Sequence, residues 1–100
     1  MASVVRTPQA RRDIAEILDG LEERSPKAAD RLASAINARC QAIGQFPEMG
    51  RTRDELGPGL RSVNIQNYLL FDQIVGTEIR VMRVIHGRRN LPPILRTGDE

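Results

Sequence analysis

The sequence is short of aromatic residues, lysine, histidine and cysteine, and each shortage removes a class of function. Only Phe46, Tyr68 and Phe71 are aromatic, and there is no tryptophan. Three rings are too few for the stacking platform that holds single-stranded nucleic acid. The core must therefore rest on Leu, Ile, Val and Ala, within a hydrophobic fraction of 40%. Such a core is thin, which points to a partner chain that completes it. The one cysteine, Cys40, leaves no intramolecular disulfide and no thiolate metal cluster. It falls on an apolar helical stripe with no basic cluster in local spacing, so it reads as a small buried hydrophobe. A phosphate-cradling glycine loop, a zinc spacing and a nucleophile–His–acid set are all missing, so neither metal nor cofactor is expected. No apolar run approaches membrane-spanning length, and the first ten residues lack the apolar segment of a signal peptide. The expectation is a cytoplasmic protein that does not meet the membrane.

What is present is arginine. Fourteen of the fifteen basic residues are Arg, in a chain whose formal net charge is only +2. Planar guanidinium groups favour paired contacts to carboxylates or phosphates over diffuse charge. Their placement is uneven: Arg80, Arg83, Arg88, Arg89 and Arg96 fall in a stretch without any acidic residue.

At 100 residues the chain has room for one domain. That domain is expected over residues 1–96, with a loose tail at 97–100. Ser3 to Arg6 reads as a short strand. Thr7-Pro8 then gives a helix start, an N-cap followed by proline at the first helical position. Ile14, Ile17, Leu18 and Leu21 form the apolar stripe of this helix, and Arg12, Asp13, Glu16 and Glu23 its polar side. Ser25-Pro26 repeats the start signal, and Ala29, Leu32, Ile36, Cys40 and Ile43 form a second stripe. The connection around Ser25 is short enough to demand an antiparallel helical hairpin. That hairpin is not markedly basic, which argues against a helix-turn-helix DNA reader.

Pro47 stops the second helix, and residues 51–59 read as a solvated polar loop of mixed charge. Leu60 to Gln66 alternates as a half-buried strand with Val63 and Ile65 inward. Gln66-Asn67 turns the chain into the strand that begins at Tyr68-Leu69-Leu70-Phe71. Gly76 supplies the positive φ of the next tight turn. The strand from Ile79 to Ile85 follows, rich in β-branched residues. Strict alternation puts Ile79, Val81, Arg83 and Ile85 on one face and Arg80, Met82, Val84 and His86 on the other. Neither face is clean, so this strand should be central, covered on both sides, in part by a partner. Pro92 and Pro93 end it. The fold class is α+β: β-αα-βββ, a helical hairpin packed on a small antiparallel sheet.

The ordered pieces "SPKAADRL", "IGQFPEMGRTRDEL", "GPGLRSVNIQNYLLF" and "IRVMRVIHGRRN" resemble the ParE/RelE superfamily of bacterial toxins, over most of the chain and closer to the ParE branch. The resemblance implies the toxin of a type II toxin–antitoxin module. In the ParE branch it further implies a non-enzymatic protein that poisons DNA gyrase, neutralised in a hetero-oligomer by a ParD-like antitoxin. The alternative is a RelE-like endonuclease that cuts messenger RNA on the ribosome. That chemistry needs a general base, a general acid and cations at the phosphate. His86 with Arg83, Arg88 and Arg89 could seed it, and Arg89 matches the arginine that RelE-type nucleases place after the last strand. Yet Leu69 and Leu95 stand where those nucleases resemble one another in an arginine and a tyrosine. Leu60, Arg61 and Ser62 occupy the region of their paired lysines. On this reading no residue is catalytic. His86, Arg88, Arg89 and Arg96 are the candidates for binding the target, and Arg80, Met82, Arg83, Tyr68 and Leu70 for binding the antitoxin.

Overall fold

The computed structural model describes residues 2–87 of the chain. Strand β1 (Ser3–Arg6) leads into α1 (Pro8–Arg24) and α2 (Pro26–Gln45). Strands β2 (Arg51–Thr52), β3 (Leu60–Ile65), β4 (Tyr68–Val75) and β5 (Glu78–His86) follow. Both helices start where the capping residues place them. Thr7 Oγ1 accepts the Ala10 N–H at 3.1 Å, and Ser25 Oγ accepts the Ala28 N–H at 3.2 Å. Ser25 also closes α1, its own N–H donating to Leu21 O at 2.7 Å. A single residue therefore ends one helix and begins the next, which forces the hairpin.

The strands form one five-stranded sheet in the order β1-β5-β4-β3-β2. Two two-residue turns, with Gln66 at φ 55° and Gly76 at φ 63°, make β3, β4 and β5 an antiparallel meander. The positive φ at the first turn position matches the twist of the paired strands. The sheet is mixed rather than wholly antiparallel, because β1 runs parallel to β5. No tight turn joins those two strands, so none dictates their relative direction. β5 is interior, as its two mixed faces implied. Two features were not legible in the sequence: β2 inside the polar loop, and the continuation of β4 past Phe71 to Val75.

The core has two parts. On the helix side, Ala10, Ile14, Leu32, Ile36 and Ile43 meet Val63, Ile65, Leu70, Ile79, Val81 and Val84. Each buried Val, Leu or Ile among them stabilises the fold by roughly 1.5–3 kcal/mol. On the other face Leu60, Phe71 and Ile85 form a smaller cluster with Leu56, Leu69 and Met82 against it. This face is partly covered by the chain itself. Residues 53–59, expected to be a solvated loop, place Leu56 on the cluster and the Arg53 guanidinium 5.7 Å from the centre of the Phe71 ring. Arg53 is held there by Glu55 at 2.8 Å and Ser62 at 3.2 Å.

The alternation expected for β5 fails at Met82. Phe71 pairs with Arg83 and Asp72 with Val81, so Met82 is an extra residue in the ladder. Past this bulge the faces exchange. Val84 joins Ile79 and Val81 under the helices, while Ile85 joins Met82 on the far side.

Candidate functional site

The bulge sits above Asp13 of α1. The helical period puts Asp13 on the polar side of its helix, yet it is only 8% exposed. Its position three residues after Ala10 and four before Ile17 puts it within reach of the apolar stripe. Arg83 donates to it twice, Nε to Oδ2 at 2.7 Å and Nη2 to Oδ1 at 3.2 Å. The Val84 N–H, next to the interrupted ladder, donates to Oδ2 at 3.1 Å, and Gln9 Nε2 to Oδ1 at 2.9 Å. Burial pushes the Asp13 carboxyl up, but the bonds from Arg83, Gln9 and Val84 outweigh it and hold the group below its ordinary value. An ionised Asp13 thus pins the irregular point of β5 to α1.

Around this pair lies a groove of about 610 Å³ between α1 and the end of β5. Asp13, Glu16, Gly20 and Arg24 line it from the helix, and Tyr68, Arg83 and His86 from the sheet. A Cβ at Gly20 would meet nothing within 4 Å, so the space beside the helix is open there. Tyr68 and His86 are cross-strand neighbours whose rings meet edge to face, 5.3 Å between centres and 77° between planes. The groove therefore offers an aromatic pair, a carboxylate–guanidinium pair and flanking charges of both signs. That suits a protein surface with apolar and charged side chains.

The structure joins some of the predicted site residues and separates others. His86, expected to meet the target, shares the groove with Tyr68 and Arg83, expected to meet the antitoxin. Met82 lies on the opposite face, and the bulge after it brings Val84 and His86 to the helix side without it. Arg80 stands in neither group and pairs with Glu78 at 2.8 Å. Leu70 is 0% exposed within the helix-side core, so it offers no surface to a partner. Arg88, Arg89, Arg96, Leu95, the two prolines and the expected tail lie outside the described residues. Sequence reasoning missed Asp13, Glu16, Gly20 and Arg24 as parts of a site.

Leu60, Arg61, Ser62 and Leu69, four of the positions that bear on nuclease chemistry, are engaged within the fold. Leu60 and Ser62 are buried, at 0% and 5% exposure. Arg61 ties down the loop before β2, Nη1 donating to Glu48 O at 3.3 Å and Gly50 O at 2.9 Å. Leu69 packs on the far-side cluster beside Phe71 and Ile85. Among the described residues no three His, Cys, Asp or Glu side chains gather as a metal site, and no helix is long and apolar enough to cross a membrane.

The model of a family described as the ParE toxin of the type II toxin–antitoxin system parDE matches residues 4–91. Three toxins of Caulobacter vibrioides (strain ATCC 19089 / CIP 103742 / CB 15) are similar along nearly their whole length. Toxin ParE3 is 28% identical over 92 residues, covering 91% of this chain and 92% of that protein. Toxin RelE1 is 29% identical over 89 residues, covering 85% and 92%. Toxin RelE3 is 30% identical over 87 residues, covering 86% and 95%. A solved chain of the chromosomal ParDE TA system from P. aeruginosa superposes with a TM-score of 0.74, over 86% of this chain and 96% of that one. It is 22% identical, and the likeness is one of fold.

Proposed function

Because the chain belongs to the ParE toxin family of type II toxin–antitoxin systems, we propose that it poisons DNA gyrase by binding it, and that a ParD-like antitoxin neutralises it. In this reading the toxin is not an enzyme. It acts in the cytoplasm as a shaped surface, and the antitoxin holds it in a hetero-oligomer. The observation that supports the reading is the state of the positions a ribonuclease would use. Leu69 offers no cation to a phosphate, Leu60 and Ser62 are buried, and Arg61 Nη1 is held by two backbone carbonyls. A nuclease must move two protons, and arginine, with its very high pKa, is a poor carrier for either. Binding makes no such demand. The groove between α1 and β5, with Tyr68, His86 and the exposed side of Arg83, is the surface we assign to the antitoxin.

Two assays on one preparation test the proposal. The pure protein is expected to inhibit gyrase supercoiling or to trap gyrase on cleaved DNA, and to leave ribosome-bound messenger RNA intact. An Arg88→Ala, Arg89→Ala double variant serves as the control. Messenger RNA cut on the ribosome with gyrase unaffected would reverse the assignment.

A further inference from the structure

Two opposite charges face each other across the sheet without meeting. Arg61 of β3 and Asp72 of β4 stand directly opposite in an antiparallel ladder, and Val81 of β5 comes next in the same row. All three turn toward the helices. Val81 belongs to the helix-side core, whereas Leu60, beside Arg61, and Phe71, beside Asp72, belong to the far-side cluster. Opposite side chains in such a row have Cβ atoms about 5 Å apart, within the reach of an arginine. Yet no hydrogen bond or salt bridge joins these two. Asp72 is buried, and its Oδ1 has no partner among the described residues. Arg61 instead donates through Nη1 to Glu48 O at 3.3 Å and Gly50 O at 2.9 Å. Its Nε and Nη2 make no bond among the described residues.

Those two carbonyls hold the approach to β2. Residues 48–50 lead into a strand of only two residues, Arg51 and Thr52, paired with Ser62 and Arg61. Gly50 lies so close to β3 that a Cβ there would stand 3.1 Å from Ser62 O and 3.2 Å from Arg61 Cβ. The other backbone ties are few: Met49 N–H to Phe46 O at 3.0 Å, and Arg53 N–H to Leu60 O at 2.8 Å. This arrangement suits an Asp72 that carries its proton, since a neutral carboxyl demands no cation. An ionised one does. A buried charge without a partner costs more than a carbonyl handed over to water. A carboxylate also offers the guanidinium a full negative charge and two oxygens, against the partial charge of a carbonyl. Glu48 and Met49 are exposed, so water can replace Arg61 there.

We infer that Arg61 is a two-position latch: it holds residues 48–50, and through them β2, while Asp72 is protonated, and it turns to Asp72 and releases that segment when the proton leaves for solvent. The charges of neighbouring elements do not compete for Asp72. On β5, Arg83 is bonded to Asp13 of α1, and Arg80 to Glu78. The core side of α2 presents Leu32, Ile36, Cys40 and Ile43, of which only Cys40 can titrate. On β4 itself the other titratable group is Tyr68, four residues away, and Glu48 and Arg51 before and within β2 are exposed. Arg61 is the charge whose field draws the Asp72 pKa down against burial.

Nuclear magnetic resonance of the full chain, titrated from about pH 5 to about pH 8, reads the latch. The Asp72 carboxyl should titrate near its raised value of about 6. The Arg61 Nε–H and the amides of Met49, Arg51 and Thr52 should shift with the same midpoint. Amide protection of residues 51–53, corrected for the pH dependence of intrinsic exchange, should fall roughly tenfold across the transition. Asp72→Asn should keep the segment held, with its low-pH protection retained at pH 8. That variant preserves every other titratable group, so a pH response surviving in it would overturn the inference. Arg61→Gln, checked for folding by circular dichroism, should loosen residues 51–53 at every pH and raise the Asp72 midpoint, because the cation is gone. A midpoint left in place would count against the latch. An Asp72 that titrates while residues 48–53 keep their shifts and protection would overturn it, as would a carboxyl that does not titrate in this range.

Discussion

Asp72 stands in the middle of β4, 1% exposed, with Val81 across one ladder and Arg61 across the other. Its Oδ1 has no hydrogen-bond partner among the described residues. Burial pushes its pKa from 3.8 up to about 6, and the positive field of Arg61 only partly offsets the rise. Because the folded value lies above the unfolded one, the native state holds the extra proton between the two. Stability should therefore fall as pH rises from about 4 to about 6, and the loss should be complete above that. A gap of about 2 pH units corresponds to about 3 kcal/mol at neutral pH. Asp13 titrates below its ordinary value, so its contribution fades only at more acid pH and leaves this window clear. Asp72→Asn keeps the shape and removes the charge. At pH 7.5 it should stabilise the toxin by about 1–3 kcal/mol, the lower figure allowing for an imperfectly bonded amide. At pH 4 it should change little. Urea unfolding of both proteins at several pH values measures the difference. A difference that does not grow with pH, or a native toxin that gains stability between pH 4 and 6, would refute the argument.

Asp13→Ala should destabilise the fold by about 2–4 kcal/mol, because it strands Arg83 and the Val84 N–H; the partial exposure of Arg83 keeps the loss near the low end. A double-mutant cycle with Arg83→Met, followed by urea unfolding, should show a coupling of about 1–3 kcal/mol, and purely additive effects would count against the pair. His86→Gln should lower toxicity in growth assays by less than about tenfold, since the ring packs on Tyr68, whereas loss of a general acid or base would cost about 10²–10⁴-fold.

The sequence by itself determined the elements whose signals are local. Thr7-Pro8 and Ser25-Pro26 set both helix starts, since capping needs only residues within one turn. The stripe of Leu32, Ile36, Cys40 and Ile43 named the buried face of α2 through a period that backbone geometry imposes. Gln66-Asn67 and Gly76 marked two turns, the β-branched run marked β5 as a strand, and its mixed faces marked it as interior. The ordered pieces carried the family. The tertiary structure decided what depends on contacts between distant parts of the chain. Strict alternation could not foresee the bulge at Met82, because an extra residue in a strand is defined only by its partner across the ladder. That one residue sent Val84 under the helices and Ile85 to the far side. Asp13 reads as polar and outward on its helix, and only the arrival of Arg83 and the Val84 N–H makes its burial tolerable. Leu70 reads as strand surface until the helices cover it. The direction of β1 is the same kind of fact. Four residues of sequence spell a strand, but only packing beside β5 and α2 sets it parallel to its neighbour.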